Sequence, residues 1–412
     1  MEMNDNYASN NVSVLEISSD AVKFAIGSLV DKKPVLSYYA EESIRGAIKD
    51  GLIRDAQAIK TAILDLMAKT DESLKLKVNI ESVSLVLPPY GLRIYQSNHQ
   101  TSVVSQTNLV DQIDITNVMN LVQKESIPSG MTIVDIIPDY YELDSQKRYW
   151  NAPVGEKSRS LLVCAKVHAL PISPQREYRT VVEDSGLRIE RMAVSPLASS
   201  ALIATNKDMP HDYILVDMGA HVTSASMVGA NRLFASLSFP KGGDELTESI
   251  ASAFSLSFEE AERIKIDYGY SKKTERFVDP IAKSYDEGGS ERKIFQDDLN
   301  KAISDYYATT FNVFLSNALN KLLERSLTPQ NQDFLPSLPV VFVGGASELF
   351  GLAPLLEPAL GTHKPIFFTP NVLGAREAKY ATVLGLIAAQ GDNRGRVDSY
   401  YRPQAQLSRA KR

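Results

Sequence analysis

Asp212-Tyr-Ile-Leu-Val-Asp-Met-Gly-Ala-His-Val-Thr-Ser-Ala-Ser-Met-Val-Gly-Ala-Asn-Arg-Leu-Phe-Ala-Ser-Leu-Ser-Phe-Pro240 is the stretch on which the reading of the whole chain turns. Tyr213 to Val216 is a short apolar run of the kind a buried strand needs, and it leads into a carboxylate, Asp217. A tight turn with Gly219 follows, then a second β-rich run from Val222 to Val228. Gly229-Ala230-Asn231 supplies turn chemistry, and the alternating run Leu233 to Phe239 closes a three-stranded meander. The same plan occurs near the N-terminus. There Val12 to Leu15 leads to Glu16, then Ser18-Ser19, a strand from Val22 to Leu29, a turn at Asp31-Lys32-Lys33 and a strand from Val35 to Tyr39. Leu15-Glu16-Ile17-Ser18 falls on Val216-Asp217-Met218-Gly219, on the order of 200 residues away, which predicts one copy in each of two domain-sized halves.

A turn of small residues at a strand end leaves backbone N–H groups free to meet an anion, and a nearby carboxylate can hold magnesium through water. Two such hairpins facing each other across a cleft would clamp phosphates from both sides.

The 412 residues exceed what one core accommodates and suit two to four subdomains. Hydrophobic content of 44% and charge of 23% describe a globular chain, and a net charge of -6 gives no reason to expect nucleic acid. Cys164 is the single cysteine, so an intramolecular disulfide is excluded. Its alternating surroundings, Ser160 to His168, predict a thiol packed on a strand. No apolar run approaches the roughly 20 residues of a membrane-spanning helix, and the polar first ten residues lack the features of a signal peptide, so a cytoplasmic location is expected.

Along the chain, Asp55 caps an expected helix with Ile59, Ala62, Ile63, Leu66 and Met67 as its stripe, and Val83 to Leu87 reads as a buried strand stopped by Pro88-Pro89. From Arg93 to Leu170 the pattern changes to a small inserted α+β module. Within it Gln96 to Val110 is polar, Ile115 to Val122 is a helix, and Thr132 to Ile137 is a strand ended by Pro138. Ser173-Pro174 reads as an N-cap with proline at the first helical position. Ser257-Phe-Glu-Glu260 fits a capping box. Asn300 to Leu327 is the longest helical pattern, and Leu338 to Val343 is a buried strand running into Gly344-Gly345, with an apolar helix from Leu349 and a closing helix from Ala378 to Ala389. The resulting map places a first subdomain at 1–92 and 171–211, the inserted module at 93–170, and a second subdomain with the second phosphate loop at 212–269. A small subdomain follows at 270–335, the remainder of the second subdomain with the Gly344-Gly345 turn at 336–390, and a polar, disordered tail at 391–412.

Several residues carry two readings. Gly344-Gly345 either lets backbone approach a base or phosphate closely, or is a tight connection. Glu262 and Lys265, at i and i+3 of one helix, form a surface ion pair or hydrogen-bond a ribose. Asp217, and Glu16 in the equivalent place, end buried strands where an unpaired carboxylate is costly, which favours a metal or capping role. Lys23 either reaches a phosphate or faces solvent. His221 either joins the site or is a turn residue in left-handed geometry.

The order of these pieces resembles the actin-like ATPase superfamily and, within it, the FtsA family of bacterial cell-division proteins. The resemblance spans Val12 to about Ala389. It rests on Ile136-Ile-Pro138 with Asp144, Asn151-Ala-Pro-Val-Gly155, Pro196-Leu-Ala-Ser199, Gly242-Gly243 with Thr247, Glu259-Glu-Ala-Glu-Arg-Ile-Lys265 with Tyr268-Gly269, and Tyr380-Ala-Thr-Val-Leu-Gly385. It implies an α/β actin-like fold of two duplicated halves around a nucleotide cleft, with the inserted module in the first half. It further implies ATP and Mg2+ as cofactors, polymerisation into short filaments, recruitment of FtsZ through its C-terminal peptide, contact with other division proteins, and a place at the inner face of the membrane at the division site. The matching nucleotide positions are Ser18, Ser19 and Lys23 in the first loop and Asp217, Gly219, Ala220, His221 and Thr223 in the second. Gly242 and Gly243, Glu262 and Lys265 at the ribose, and Gly344, Gly345 and Ser347 at the base complete the set, with Glu16 and Asp217 holding the metal through water.

Three departures stand out. The family's first loop reads Asp-Ile-Gly-Thr, and here it is Glu16-Ile-Ser-Ser19. Its second reads Asp-Ile-Gly-Gly-Gly-Thr-Thr, and here it is Asp217-Met-Gly-Ala-His-Val-Thr223. Lost glycines add Cβ atoms where backbone must nearly touch phosphate, and the longer Glu16 displaces the carboxylate from a geometry magnesium tolerates poorly. Weak hydrolysis, or a mainly scaffolding role, is therefore expected. The tail also lacks the apolar weight of the family's amphipathic membrane helix. The alternatives are a PilM-like adaptor of pilus assembly and, ranked below it, a small-molecule kinase of the same superfamily.

Overall fold

The computed structural model describes residues 11–74, 80–230, 232–271, 279–285, 291–326 and 337–389. The expectations for the first ten residues, for Asn231, for most of the charged stretch 272–292 and for the tail 391–412 lie outside the described residues.

The duplication read from the sequence is written into two five-stranded sheets. In the first, strands Val12–Ile17, Ala21–Val30 and Lys33–Ser43 form an antiparallel meander, Ser82–Leu87 runs parallel beside Val12–Ile17, and Arg188–Val194 runs parallel beside Ser82–Leu87. In the second, Asp212–Met218, Thr223–Gly229 and Arg232–Phe239 form the meander, and Val340–Val343 and Pro365–Phe367 extend it in parallel. The registers match as well. Glu16 lies opposite Lys23 and beside Val86, and Asp217 lies opposite Ser224 and beside Val343. The central strands Val12–Ile17 and Asp212–Met218 are apolar runs because elements cover both their faces.

Helices Ser195–Ile203 and Ala381–Ala388 sit between the sheets. One core joins their side chains to Val14, Leu15 and Phe24 of the first sheet and to Tyr213, Leu215 and Val341 of the second. The two helices meet backbone to backbone: a Cβ on Gly385 would lie 1.9 Å from the Ala198 carbonyl oxygen, and the Ser199 and Thr382 hydroxyls are 3.3 Å apart. The closing helix was expected with the second half, yet its residues belong to this shared core, because it is apolar on every side and needs cover all round. A second core lies on the other face of the second sheet under helices Gly243–Phe254, Phe258–Tyr268, Gln296–Tyr306 and Asn312–Ser326.

The insertion is a four-stranded sheet in the order Arg93–Ser102, Ser160–Pro171, Met131–Leu143, Arg148–Tyr149, with helix Gln112–Gln123 packed on it through Val118 and Val122. Cys164 is buried on its strand. No helix among the described residues is long and apolar enough to cross a membrane.

Several local expectations are corrected. The polar stretch from Gln96 begins within a strand: Arg93–Ser102 is an edge strand, and much of it meets water. Pro138 does not end its strand, which continues to Leu143 through a bulge. Ser173 caps nothing, since the helix starts at Ile172 behind Pro171. The long helix starts at Gln296 and carries a π segment, Tyr307–Phe311, whose extra residue turns both Tyr307 and Phe311 inward. A 3-10 turn, Gly345–Glu348, follows Gly344, and the next helix is Ala353–Leu360 rather than one from Leu349. The caps at Asp55, which accepts from the Ala58 N–H at 2.9 Å, and at Ser257 are as read.

Candidate functional site

The ends of the two hairpins meet in a cavity of about 100 Å³ lined by Glu16, Ser18, Ser19, Asp20 and Lys23 from the first half and Asp217, Gly219, Ala220 and Gly344 from the second. Pro88, Pro89, Tyr90 and Tyr178 add an apolar wall. A neighbouring pocket of about 230 Å³ shares Asp20, Lys23 and Lys379 with it and adds Glu41, Arg45 and Gly345.

Lys23 is buried, not solvent-facing. Its ammonium is 3.4 Å from Glu16 Oε1 and donates to the Lys379 carbonyl at 3.4 Å. Burial pushes the Glu16 carboxyl up, Lys23 pulls it down and Asp217 pushes it up again, leaving it raised. Burial also raises Asp217, with Lys23 opposing. For Lys23, burial works against the charge, but Glu16, Asp20 and Asp217 outweigh it and hold the ammonium above its ordinary value. A buried and a partly buried carboxyl thus share one cation. Glu16 Oε2 is buried without a hydrogen-bond partner among the described residues. A carboxylate oxygen so placed is costly, and a hydrated divalent cation at the cleft would relieve it. Glu16 and Asp217 therefore fit magnesium held through water. Among the described residues no three His, Cys, Asp or Glu side chains gather as a protein-only metal cage. Magnesium commonly takes one or two carboxylates and completes its shell with water and phosphate.

The first loop is braced by Ser18, whose hydroxyl donates to Asp20 Oδ1 at 2.8 Å. The second is braced by helix Gly243–Phe254. Gly243 N–H donates to the Gly219 carbonyl at 3.0 Å and Asp244 N–H to the Ala220 carbonyl at 2.9 Å. A Cβ on Gly242 would stand 2.3 Å from the Ala220 oxygen, so glycine is what lets the helix start lie on the loop. The Gly242 N–H is taken by Glu245 at 2.6 Å, and the Thr223 hydroxyl by the Lys241 carbonyl at 2.7 Å. Gly242, Gly243 and Thr223 thus shape the loop. The N–H groups of Ser19 and Ala220 donate to no described residue.

His221 is not a left-handed turn residue, since the described non-glycine residues with positive φ are elsewhere. Its Nε2 is 3.3 Å from Asp244 Oδ2 and its Nδ1 3.8 Å from Glu245 Oε1. The Glu245 hydrogen bond is the main cause that raises its pKa. The His221 backbone N–H donates to Ser19 Oγ at 3.4 Å, so the two loops touch.

Glu262 and Lys265 pair at 2.6 Å, and Lys265 is buried. Lys265 also donates to the Gly243 carbonyl at 3.1 Å and the Thr247 hydroxyl at 2.8 Å, which pins helix Phe258–Tyr268 to the start of Gly243–Phe254. The Cβ position of Gly243 lies 3.3 Å from Ala346 and 3.5 Å from the Lys265 ammonium, so the Gly344–Ser347 turn is adjacent. Gly344 has φ 87°, and a Cβ there would come within 2.5 Å of Asp217 Oδ1. The Ser347 hydroxyl closes the turn on the Gly344 carbonyl at 2.7 Å.

Sequence reasoning missed Tyr90, Arg45 and Lys379. Pro88-Pro89-Tyr90 follows Ser82–Leu87 as Gly344-Gly345 follows Val340–Val343, so carrying the duplication one strand further would have found it. Arg45 reaches across the halves, 3.9 Å from Asp244 Oδ2 and 4.4 Å from the Phe258 ring centre, with no local signal.

Among known proteins, the family model for Cell division protein FtsA matches residues 214–385. The FtsA of Streptococcus pneumoniae is 24% identical over 86% of this chain and 77% of its own length. That of Enterococcus hirae is 25% identical over 90% of this chain and 81% of its own. Among solved structures, the PilM-PilN type IV pilus biogenesis complex superposes with a TM-score of 0.60 at 19% identity, covering 92% of this chain and 98% of that one. MreB5 of Spiroplasma citri bound to AMPPNP gives 0.53 at 11% identity, covering 93% and 96%. These structures speak for the fold, which is the actin-like ATPase fold, and in sequence the chain is similar to the FtsA proteins over most of its length.

Proposed function

We propose that this chain is an actin-like scaffold of bacterial cell division. In this reading it holds ATP with magnesium between its halves, self-associates into filaments, recruits FtsZ through the FtsZ C-terminal peptide and helps link the division ring to the inner face of the membrane. The observation that supports it most is the meeting of Glu16, Lys23 and Asp217 in one cleft between duplicated sheets. The Lys23 ammonium meets phosphate oxygens, Ser18, Ser19, Gly219, Ala220 and His221 frame the phosphates, and Glu16 and Asp217 hold the ion. Glu262 and Lys265 serve the ribose side and Gly344, Gly345 and Ser347 the base side, with Thr223, Gly242 and Gly243 supporting the second loop. The bound nucleotide supplies negative charge that bridges the halves. Hydrolysis is weak or absent, because Cβ atoms at Ser18, Ala220 and His221 crowd the loops and Glu16 carries an extra methylene. In this reading the inserted module is 93–170 and the closing helix lies between the halves.

Calorimetric titration of ATP, with and without magnesium, tests the cleft. Pelleting with nucleotide and anisotropy of a labelled FtsZ C-terminal peptide test the scaffold. A monomer that binds neither nucleotide nor peptide sinks the reading. The higher TM-score to the PilM-containing complex favours one second reading, a pilus-assembly adaptor. Binding of a short N-terminal peptide from a membrane partner, in place of the FtsZ peptide, would support it.

A further inference from the structure

We infer that a pair of facing β-bulges clasps the inserted module to the second half and limits how far the two halves turn about the helices between them. Neither bulge belongs to the cleft.

The first bulge is in the module. Cys164 lies opposite Tyr140 and Ala165 opposite Pro138, which leaves Asp139 as the extra residue. Pro138 has no N–H for the ladder, and the bulge re-aims Asp139 away from its sheet. The second bulge is in the second-half meander, where Met227 pairs with Ala235 and Val228 with Leu233, leaving Phe234 extra. The two bulges exchange side chains. Arg232 Nε stands 2.9 Å from Asp139 Oδ1, and Arg232 Nη2 donates to the Asp139 carbonyl at 2.6 Å. Lys166 stands 3.8 Å from Asp139 Oδ2 and 4.7 Å from the centre of the Phe234 ring. The Arg232 guanidinium lies 5.2 Å from the centre of the Trp150 ring. Side-chain exposures of 11% for Arg232 and 13% for Asp139 put this pair out of bulk water, where a charge-assisted contact is stronger than a surface one.

Topology gives the clasp its purpose. The module continues from the first half, whereas Arg232 and Phe234 belong to the edge strand of the second sheet. Arg232 opens that strand at the end remote from the cleft, and near its other end the Ser238 hydroxyl donates to the Pro89 carbonyl at 3.4 Å. The module's strand Arg93–Ser102, which follows Pro89, packs beside the edge strand Arg232–Phe239 and covers it. Rotation about the helices between the sheets must either break the clasp or drag the module with the second half.

In the full chain, Arg232→Gln should speed amide exchange in the bulged part of strand Met131–Leu143 around Asp139 by about tenfold as the bulge loses its partner. It should also speed amide exchange in the loops Ser18–Ala21 and Gly219–Val222 by about tenfold as the halves open more often. Arg232→Lys, which keeps the charge and loses the fork, should fall between. If circular dichroism shows Arg232→Gln unfolded, Lys166→Gln removes the cation over Phe234 and is read the same way. Unchanged exchange around Asp139 overturns the clasp. Faster exchange there with wild-type exchange in both loops overturns its restraint on the halves.

Discussion

Glu16 and Asp217 hold the same position in two different sheets, each one residue before the end of its central strand and each beside the last paired residue of the neighbouring parallel strand. The chain folds back so that both end at one buried ammonium, that of Lys23. The duplication is thus broken at its centre: Lys23 occupies the register of Ser224, and one cation serves two acids.

Lys23→Met should leave a buried carboxyl, Glu16, and a partly buried one, Asp217, without their cation. Breaking such a cluster from one side costs about 3–5 kcal/mol. The loss should depend on pH. A carboxyl with a raised folded pKa binds its proton more tightly in the native state, so its stabilising share is complete below the ordinary value of 4.5 for Glu16 and declines as pH rises through the folded value. Urea denaturation at pH 5 and pH 8 checks this, with the larger deficit expected at pH 8. Equal deficits at both would mean that the carboxyls do not titrate in that window.

Glu16→Gln removes a buried acid and keeps its shape. The desolvated acid disappears, but buried Lys23 keeps only Asp20 and Asp217 as counter-charges, so these changes oppose. The protein without nucleotide should therefore change in stability by less than the Lys23→Met variant does. Any stabilisation by magnesium with ATP should shrink. Thermal shift with ATP alone and with ATP and magnesium separates the two effects, and an unchanged magnesium increment would remove Glu16 from the metal.

His221 gives a titration of opposite origin. Its folded pKa is raised, so its contribution is complete below its ordinary value of 6.5 and fades as pH rises through the folded value. The cause is the Glu245 and Asp244 carboxylates beside a half-buried ring, so solvent screening keeps the total under about 1 kcal/mol. Melting temperature should fall slightly from pH 6 to pH 8 in the parent chain, and the slope should flatten in His221→Asn.

Gly385→Ala places a methyl 1.9 Å from the Ala198 oxygen. Alanine suits a helix better by about 1 kcal/mol, but the contact is backbone on backbone and cannot be relieved by a rotamer, so a net loss of about 3 kcal/mol or more is expected. Gly361→Ala, with a positive φ but open space around it, should cost about 1 kcal/mol and serves as the control. Equal losses in chemical denaturation would mean the helices between the sheets do not meet as described.

Both meanders and their acidic strand ends were readable because period-2 alternation and turn residues are local signals. Three kinds of feature were not. Pro138 and Phe234 sit in bulges, where a strand keeps its identity and loses its register, so periodicity says nothing of where Asp139 points. The closing helix is apolar on every side, which says that it is buried but not in which half. Arg45, Lys379 and Tyr90 reach the cleft through contacts between segments far apart in sequence. Lys265 shows the limit in the other direction: its spacing from Glu262 gave the ion pair, while its hold on Gly243 and Thr247 needed the second helix.

The loop departures give the last prediction. Ala220 and His221 carry side chains where the resembling family has glycine, and His221 links the second loop to Ser19. Replacing both, Ala220→Gly with His221→Gly, removes the Cβ crowding and the tether to Asp244 and Glu245. If the cleft takes ATP with magnesium, the gain in close backbone approach should tighten binding about tenfold, or about 1.4 kcal/mol. The free loop would pay conformational entropy on ordering, of roughly 0.5–1 kcal/mol per added glycine, so the two effects oppose. Adding Glu16→Asp to the pair separates them, because it shortens the arm toward the ion without loosening backbone. Titration of the double and triple variants decides between the terms. Tighter binding in the triple variant only would put the weakness in the metal arm, and tighter binding already in the double variant would put it in the crowded second loop.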